Sequence, residues 1–309
     1  MRAGLATAAA LARLAMSAFG TLGACAPVAT TSVTPTPPAP PASASAAPMT
    51  AMGARVTLVD AGSKPRRALR FEFAPGRRET ARLSIEQTAS IDARAAIAQP
   101  RVDVSLALET EKLTPDGDVM GRCRVLGVEL TTAPQTLDPA PLRASLASLD
   151  GASAPLVFTA HGELAVTGLL SEGDAGPSAA GMIVFDVLRD LDAPLPLERV
   201  GVGARWEVTP EHGERGAFRI ESLDESSAVL RVERDVADGS VVVPPPNGTN
   251  AAPLTIASHT TKELTLTLRF DRLVRAARLV VRTTSTVSGA HVVTQAARAA
   301  RVVTITATP

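Results

Sequence analysis

The chain has 309 residues, 45% of them apolar, with 31 basic and 31 acidic side chains that cancel to a net charge of zero. Such a balance gives no electrostatic footprint for nucleic acid or for a polybasic membrane contact. With no Tyr and only Trp206 as tryptophan, stacking platforms for sugars or bases are not expected.

Residues 1–13 carry Arg2 and Arg13 and no acid, and residues 14–24 are apolar and short. A helix that crosses a bilayer needs ~20 residues, so this leader has the build of an export signal. It ends in Leu22-Gly23-Ala24-Cys25. That string resembles the lipobox of bacterial lipoprotein signals: a branched aliphatic, two small residues, then cysteine. The resemblance implies that residues 1–24 are removed, with a diacylglycerol on the Cys25 thiol and an acyl group on its new amino terminus. An ordinary export signal would leave Cys25 incidental, but its place directly after the apolar run argues for lipidation. Each buried methylene contributes about 0.8 kcal/mol, and more than one chain is needed for stable anchoring. Two or three chains on one residue meet that need. Ala26 follows, where Asp would favour retention at an inner membrane, so an outer-membrane anchor is expected.

Loss of the leader removes two arginines and leaves 29 basic against 31 acidic residues. Once Cys25 carries lipid, Cys123 has no disulfide partner. It sits in Arg122-Cys123-Arg124-Val125-Leu126, where alternation places it inward as a small hydrophobe. A reactive thiol is the sharper alternative, and no histidine is near it in sequence.

Residues 25–53 are mostly Ala, Pro, Thr and Ser without a charge, including Pro35, Pro37, Pro38, Pro40 and Pro41. This composition favours extended polyproline II and builds no core. It reads as a disordered tether, able at ~3.1 Å per residue to span up to roughly 85 Å.

The globular part covers residues 54–309, enough for one large domain or two related halves, about 54–135 and 195–309, joined by a helix–hairpin–helix segment. Period-2 alternation predicts strands at 68–73, 79–91, 102–109 and 119–130. The turns fall at Ala74-Pro75-Gly76-Arg77 and Pro115-Asp116-Gly117-Asp118. Asp138-Pro139 then predicts a helix start, with Leu142, Leu146 and Leu149 on one face and Gly151 as the stop. A hairpin over 156–160 and 163–169 turns at His161-Gly162. A second helix is predicted over 178–191, with Met182, Phe185, Leu188 (or Val184) and Leu191 as its apolar stripe and Pro194 and Pro196 beyond it. Strands are predicted again at 205–208, 217–223, 228–236, 261–270, 278–287 and 292–308. The expected fold is therefore α+β: long antiparallel strands in a strongly curved sheet, with two helices against its concave face, since each helix has one apolar stripe to bury.

Leu195-Pro196 and Val200-Gly201-Val202-Gly203-Ala204-Arg205-Trp206, with Phe73-Ala74-Pro75-Gly76 and Phe270-Asp271, resemble a group of uncharacterised bacterial lipoproteins that carry no assigned activity. The order of strands and helices also resembles the half-barrels of periplasmic lipoprotein carriers and lipid-binding lipoproteins. The carrier likeness is one of architecture.

No motif carries chemistry. Gly201 and Gly203 lack a third glycine and precede a strand, so they make no dinucleotide loop; a tight turn that lets Trp206 pack is the better reading. His161, His212, His259 and His291 lie far apart in sequence, in turns or at strand ends. Ser153 lacks the context of a nucleophile elbow. Asp116 and Asp118 suggest a turn rather than calcium. No metal, cofactor or nucleic acid is expected, and no catalytic residue is assigned.

Three functions stay open on the sequence. The first is a lipid-anchored envelope protein with a non-catalytic, partner-binding or structural domain. The second is a carrier or sensor of an amphipathic ligand, with Leu142, Leu146, Leu149, Met182, Phe185 and Leu191 facing it or filling the core. The third is a hydrolase whose Ser, His and Asp converge only in the fold. A continuous apolar cavity of a few hundred Å3 under the helices would mark the carrier.

Overall fold

The computed structural model describes residues 53–92, 95–132, 139–166, 179–210, 214–243, 254–289 and 292–308. Leu22, Gly23, Ala24 and Cys25 lie outside the described residues, as does the tether up to residue 52. Residues 49–309 form one compact unit.

Thirteen strands make one antiparallel, curled sheet. They are β1 (Arg55–Asp60), β2 (Arg78–Ile91), β3 (Ile97–Ala98), β4 (Arg101–Leu113), β5 (Val119–Thr131), β6 (Ser153–Phe158), β7 (Leu164–Val166), β8 (Arg205–Thr209), β9 (Gly216–Leu223), β10 (Ser227–Val243), β11 (Leu254–Arg269), β12 (Ala276–Gly289) and β13 (Val292–Thr308). Two short helices, α1 (Ala140–Leu146) and α2 (Ala179–Asp190), lie between β5 and β8 in the chain. The order across the sheet is β1-β8-β9-β10-β11-β12-β13-β2-β4-β5-β6-β7, with β3 beside β2. β13 joins the two runs of strands, through pairs such as Ile305 with Leu83.

Alternation sets the faces. In β10 and β11, Ala228, Leu230 and Val232 sit opposite Leu268, Leu266 and Leu264, and all six are at most 3% exposed. Arg231, Glu233, Thr265 and Thr267 between them point to solvent. Because side-chain direction has a period of two, a slip of one residue would turn this whole apolar row outward.

Residues 68–73 are not a strand, contrary to the expectation from their alternation. They bury one side, with Leu69 and Phe71 inward and Ala68, Arg70 and Glu72 exposed. Their backbone ties are a bridge of Arg67 with Val200 and two hydrogen bonds, from the Phe71 N–H to the Ala160 carbonyl and from the Glu72 N–H to the Phe270 carbonyl. Leu69 and Phe71 are buried. Phe71 packs on Phe73, Phe158 and Phe270, with centroids 5.5, 5.0 and 5.6 Å away. The first true strand, β1, comes earlier and pairs with β8.

α1 starts after Pro139, without a side-chain cap; the predicted cap, Asp138, lies outside the described residues. The helix closes in a tight 3-10 turn, Ala147–Leu149, and Gly151, at φ 73°, reverses the chain as expected. In α2 the buried face consists of Val184, Val187, Leu188 and Leu191, spaced at i, i+3, i+4 and i+7. The side chains of Met182 and Phe185 lie outside those described. Each buried Val or Leu contributes about 1.5–3 kcal/mol, so four of them hold a helix too short to persist alone.

On the outer face, Asp103 of β4 is buried among cations. Its Oδ1 accepts from Arg101 Nε and Nη2, at 3.1 and 3.0 Å, and from the Ser84 hydroxyl. Its Oδ2 lies 3.2 Å from Arg82 Nη2. Burial pushes this carboxyl up, but the Ser84 hydroxyl and the guanidinium groups of Arg82 and Arg101 outweigh it, so the net shift is downward. A depressed carboxyl stabilises the fold above its unfolded value of about 3.9 and loses that contribution as pH falls through the folded value. The Asp103→Asn chain is therefore expected to be less stable than the parent at pH 7, with the gap narrowing below about pH 4. Urea midpoints measured from pH 7 to 3 check this; a gap that stays constant with pH would contradict it.

Candidate functional site

Of the apolar residues that could face a ligand, the four with described side chains are part of the core or packed against it. Leu146, Leu149 and Leu191 are 6%, 1% and 5% exposed, and Leu142 packs against the same cluster while partly buried. Val184 and Val187 are 1% and 0% exposed. Leu149, Val184 and Val187, at 0–1%, are closed to water.

The helix end meets a cluster of charges that sequence reasoning missed. Asp190, the last residue of α2, is buried. Its Oδ1 accepts from Lys262 Nζ of β11 at 2.9 Å and lies 3.6 Å from Arg234 Nη1 of β10. Lys262 also pairs with Glu214 at 3.1 Å, and Arg234 donates to the Asp192 carbonyl at 2.6 Å. Asp192 Oδ1 accepts from the Leu164 N–H at 2.8 Å. Burial holds the Asp192 carboxyl above the usual carboxylate range, opposed by that N–H and by the charges of Arg275 and Arg234.

Arg275, 2% exposed, completes the cluster. It donates to the Gly162 carbonyl at 2.6 Å and to the Leu191 carbonyl, and it lies over the Phe158 ring at 4.4 Å. Burial pushes its guanidinium down to about 10, with the Asp192 charge acting the other way. It is still a cation near neutral pH. A cation on carbonyls past the end of a helix complements the negative end of the helix dipole. These groups fasten the end of α2 to the β6–β7 turn and to β10 and β11.

The sequence carried a signal for part of this cluster. Arg234 continues the inward row Ala228, Leu230, Val232, and Lys262 begins the inward row that leads to Leu264, Leu266 and Leu268. A charge at an inward step needs a buried counter-charge. Asp190 and Glu214 supply it from segments that period 2 cannot reach.

The other singled-out residues have structural roles. The Trp206 indole donates to the Pro194 carbonyl at 2.9 Å and stacks on Phe218 at 5.4 Å. Gly201 lies against the 61–67 segment, where an added Cβ would come 1.8 Å from the Ser63 carbonyl oxygen. Cys123 is 0% exposed, and burial pushes its thiol up to about 12, which leaves it protonated and inert. Gly117 turns at φ 87°, and Asp118 Oδ1 accepts from the Ala160 N–H at 2.8 Å, tying the β4–β5 turn to the β6–β7 turn. Burial, with Arg70 nearby, pushes the His161 imidazole down, opposed by Asp118. His212 and His291 lie outside the described residues, and His259 projects from the outer face of β11. Among the described residues, no three His, Cys, Asp or Glu side chains are grouped to hold a metal ion, and no helix is long and apolar enough to cross a membrane.

The outer face of β8, β9 and β10 carries a shallow groove of about 410 Å3 lined by Arg205, Glu207, Arg219, Glu221, Arg231 and Glu233 among others. Arg205, Arg219 and Arg231 are directly opposite one another across the three strands. Asp60 pairs with Arg205 at 3.7 Å and Glu233 with Arg231 at 3.3 Å, which leaves a solvated face of mixed charge.

No protein-family profile and no curated protein matches this chain in sequence.

Proposed function

We propose that this is a lipid-anchored cell-envelope protein whose β-rich domain acts without catalysis, by holding a partner or serving structurally at the membrane surface. The observation that carries the reading is Leu22-Gly23-Ala24-Cys25, placed directly after the apolar run of the leader. Ala26 favours the outer membrane as the site of the anchor. The domain's buried charges add support, because Asp190, Arg234, Lys262 and Arg275 are occupied in fastening α2. A carrier of amphipathic ligands draws less support, since Leu149, Val184 and Val187 fill space that a ligand beneath the helices would need.

The test is direct. In a bacterial host, the Cys25→Ser chain is expected to lose its membrane association, with nearly all of it moving from the membrane pellet to the soluble fraction. The N-terminal peptide of the parent should carry the mass of a diacylglycerol, with or without a further acyl chain. A parent peptide of unmodified mass, or a Cys25→Ser chain that still pellets, would sink the reading.

A further inference from the structure

Three cations point inward at one level of the sheet. Arg234 is in register with Lys262, Lys262 with Val281, and Val281 with Arg301. On the far side of Arg301 the row continues to Gln87 of β2. Side-chain direction alternates along a strand, and the buried Val232, Leu264, Val303 and Ile85 lie two residues from Arg234, Lys262, Arg301 and Gln87. All four therefore share the inner face.

Two of the cations are matched. Asp190 and Glu214 hold Lys262, and Asp190 lies 3.6 Å from Arg234. Arg301 has no such match. The residue is half-buried, and its Nε is sealed from water without an acceptor. Among the described residues its guanidinium has no ion pair and no hydrogen bond, and its two Nη nitrogens are not sealed. The strands around it have no charge to offer. β12 and β13 contain no Asp or Glu. The acid on the inner face of β2, Glu79, lies far along that strand, held by Arg77 and the Val274 N–H. An inward cation without a counter-charge is a cost to the fold, and an anion from outside the chain removes it.

We propose that Arg301, with Gln87 beside it, binds a small oxyanion, a carboxylate or a phosphate. A guanidinium meets such a group through two parallel charge-assisted hydrogen bonds. Gln87 stands directly opposite, about 5 Å away at Cβ, and its amide can donate to the same group. One step along, Thr283 adds a hydroxyl, 2.9 Å from that of Thr260. The neighbouring Ser285, Ala297, Ala299 and Ala89 on this face are small and uncharged, so the site offers nothing to a second charge. The inference extends the non-catalytic reading and does not depend on the lipid at Cys25.

The experiment uses the full lipidated chain in a non-ionic detergent at low salt, with butyrate, butyl phosphate, inorganic phosphate and 1-butanol as probes. The expected result is a thermal midpoint raised by butyrate or butyl phosphate and unmoved by 1-butanol. Arg301→Met should weaken that binding by about tenfold or more, the scale of a lost hydrogen bond to a charged group. Arg301→Lys, which keeps the charge without the fork, should weaken it less. Arg282→Met, exposed on the outer face of β12, should leave it unchanged. Without anion, Arg301→Met is expected to be at least as stable as the parent, since no pair is broken. Inorganic phosphate as effective as butyl phosphate assigns the site to the free ion, and a clear preference for butyl phosphate assigns it to an oxyanion borne on a larger molecule. The inference falls if anions raise the midpoint of Arg301→Met as much as that of the parent, or if 1-butanol matches butyrate. It falls too if Arg301→Met alone unfolds the chain, which would give the guanidinium a structural partner. Each of these failures leaves the membrane fractionation of the Cys25→Ser chain, and the anchor reading with it, untouched.

Discussion

Asp190→Ala is expected to cost about 3–5 kcal/mol of folding stability, the range for removing one partner of a buried ion pair. Against a total of about 5–15 kcal/mol for a domain, that takes away a fifth or more. The size follows from what remains. Lys262 and Arg234 have side chains 11% and 12% exposed, so neither can turn fully into water. Glu214 would still face Lys262 at 3.1 Å, whereas Arg234 would keep the Asp192 carbonyl and the field of the Asp192 carboxyl but no direct ion pair among the described residues. A control separates lost attraction from stranded charge. The quadruple change Asp190→Leu, Glu214→Met, Lys262→Met and Arg234→Met removes two anions and two cations together and should recover most of the loss, because a buried ionic cluster gains little over apolar residues of similar volume. Urea midpoints decide it. A single variant within 1 kcal/mol of the parent would mean that the cluster is wetter than its burial shows.

Gly201→Ala is expected to be at least as damaging, by a different route. The new Cβ would lie 1.8 Å from the Ser63 carbonyl oxygen and 3.1 Å from that of Pro65. Both are backbone atoms, so no rotamer relieves the overlap and the two segments must part. Four hydrogen bonds bind them there: Ser63 to Val202, Arg67 to Val200 in both directions, and Gly201 to Ala61. Each contributes about 0.5–1.5 kcal/mol, so opening the seam costs about 2–6 kcal/mol, and more again as Leu69 loosens. The neighbouring glycine gives the contrast. Gly203 has φ 82° with open space around the position of a Cβ, so Gly203→Ala should cost only about 1–2 kcal/mol for a left-handed residue. Thermal midpoints of the two variants should separate clearly. Equal losses would contradict the close approach at Gly201.

Much of the sheet was legible in the sequence because a half-buried strand writes its own period. The strands β2, β4, β5, β10 and β11 were placed, and the inward Val102, Val104, Leu106 and Leu108 of β4 follow their alternation, although Asp103 and Ala107 are buried beside them. The failures have definite causes. Residues 68–73 alternate as a strand does because they too are extended with one side buried, but their hydrogen bonds go to scattered carbonyls at Ala160 and Phe270 rather than to a ladder. Periodicity reports burial and cannot report pairing. β1 was missed because six residues bounded by Arg55 and Asp60 give too few steps to stand out. In α2 the helix was found and its face placed in part: Leu188, its alternative Val184, and Leu191 are buried as expected, and Val187 was missed. The charged cluster was illegible as a cluster, since Glu214, Arg234, Lys262 and Arg275 come from separate segments that only the curl of the sheet brings to Asp190.

The seam between β13 and β2 sets the order in which this molecule can fold. Thr80 and Thr308 meet across 228 residues of chain, and every pair along that seam has comparable separation. Hairpins such as β4–β5 and β10–β11 are local and can close within microseconds. The seam cannot close until the chain has emerged through residue 308, and loop closure over such distances makes folding slow. Until then β2 offers an open edge flanked by apolar rows, the condition in which strands pair with the wrong neighbour. In a chain with this connectivity the last strand to be made is the one that renders the sheet continuous.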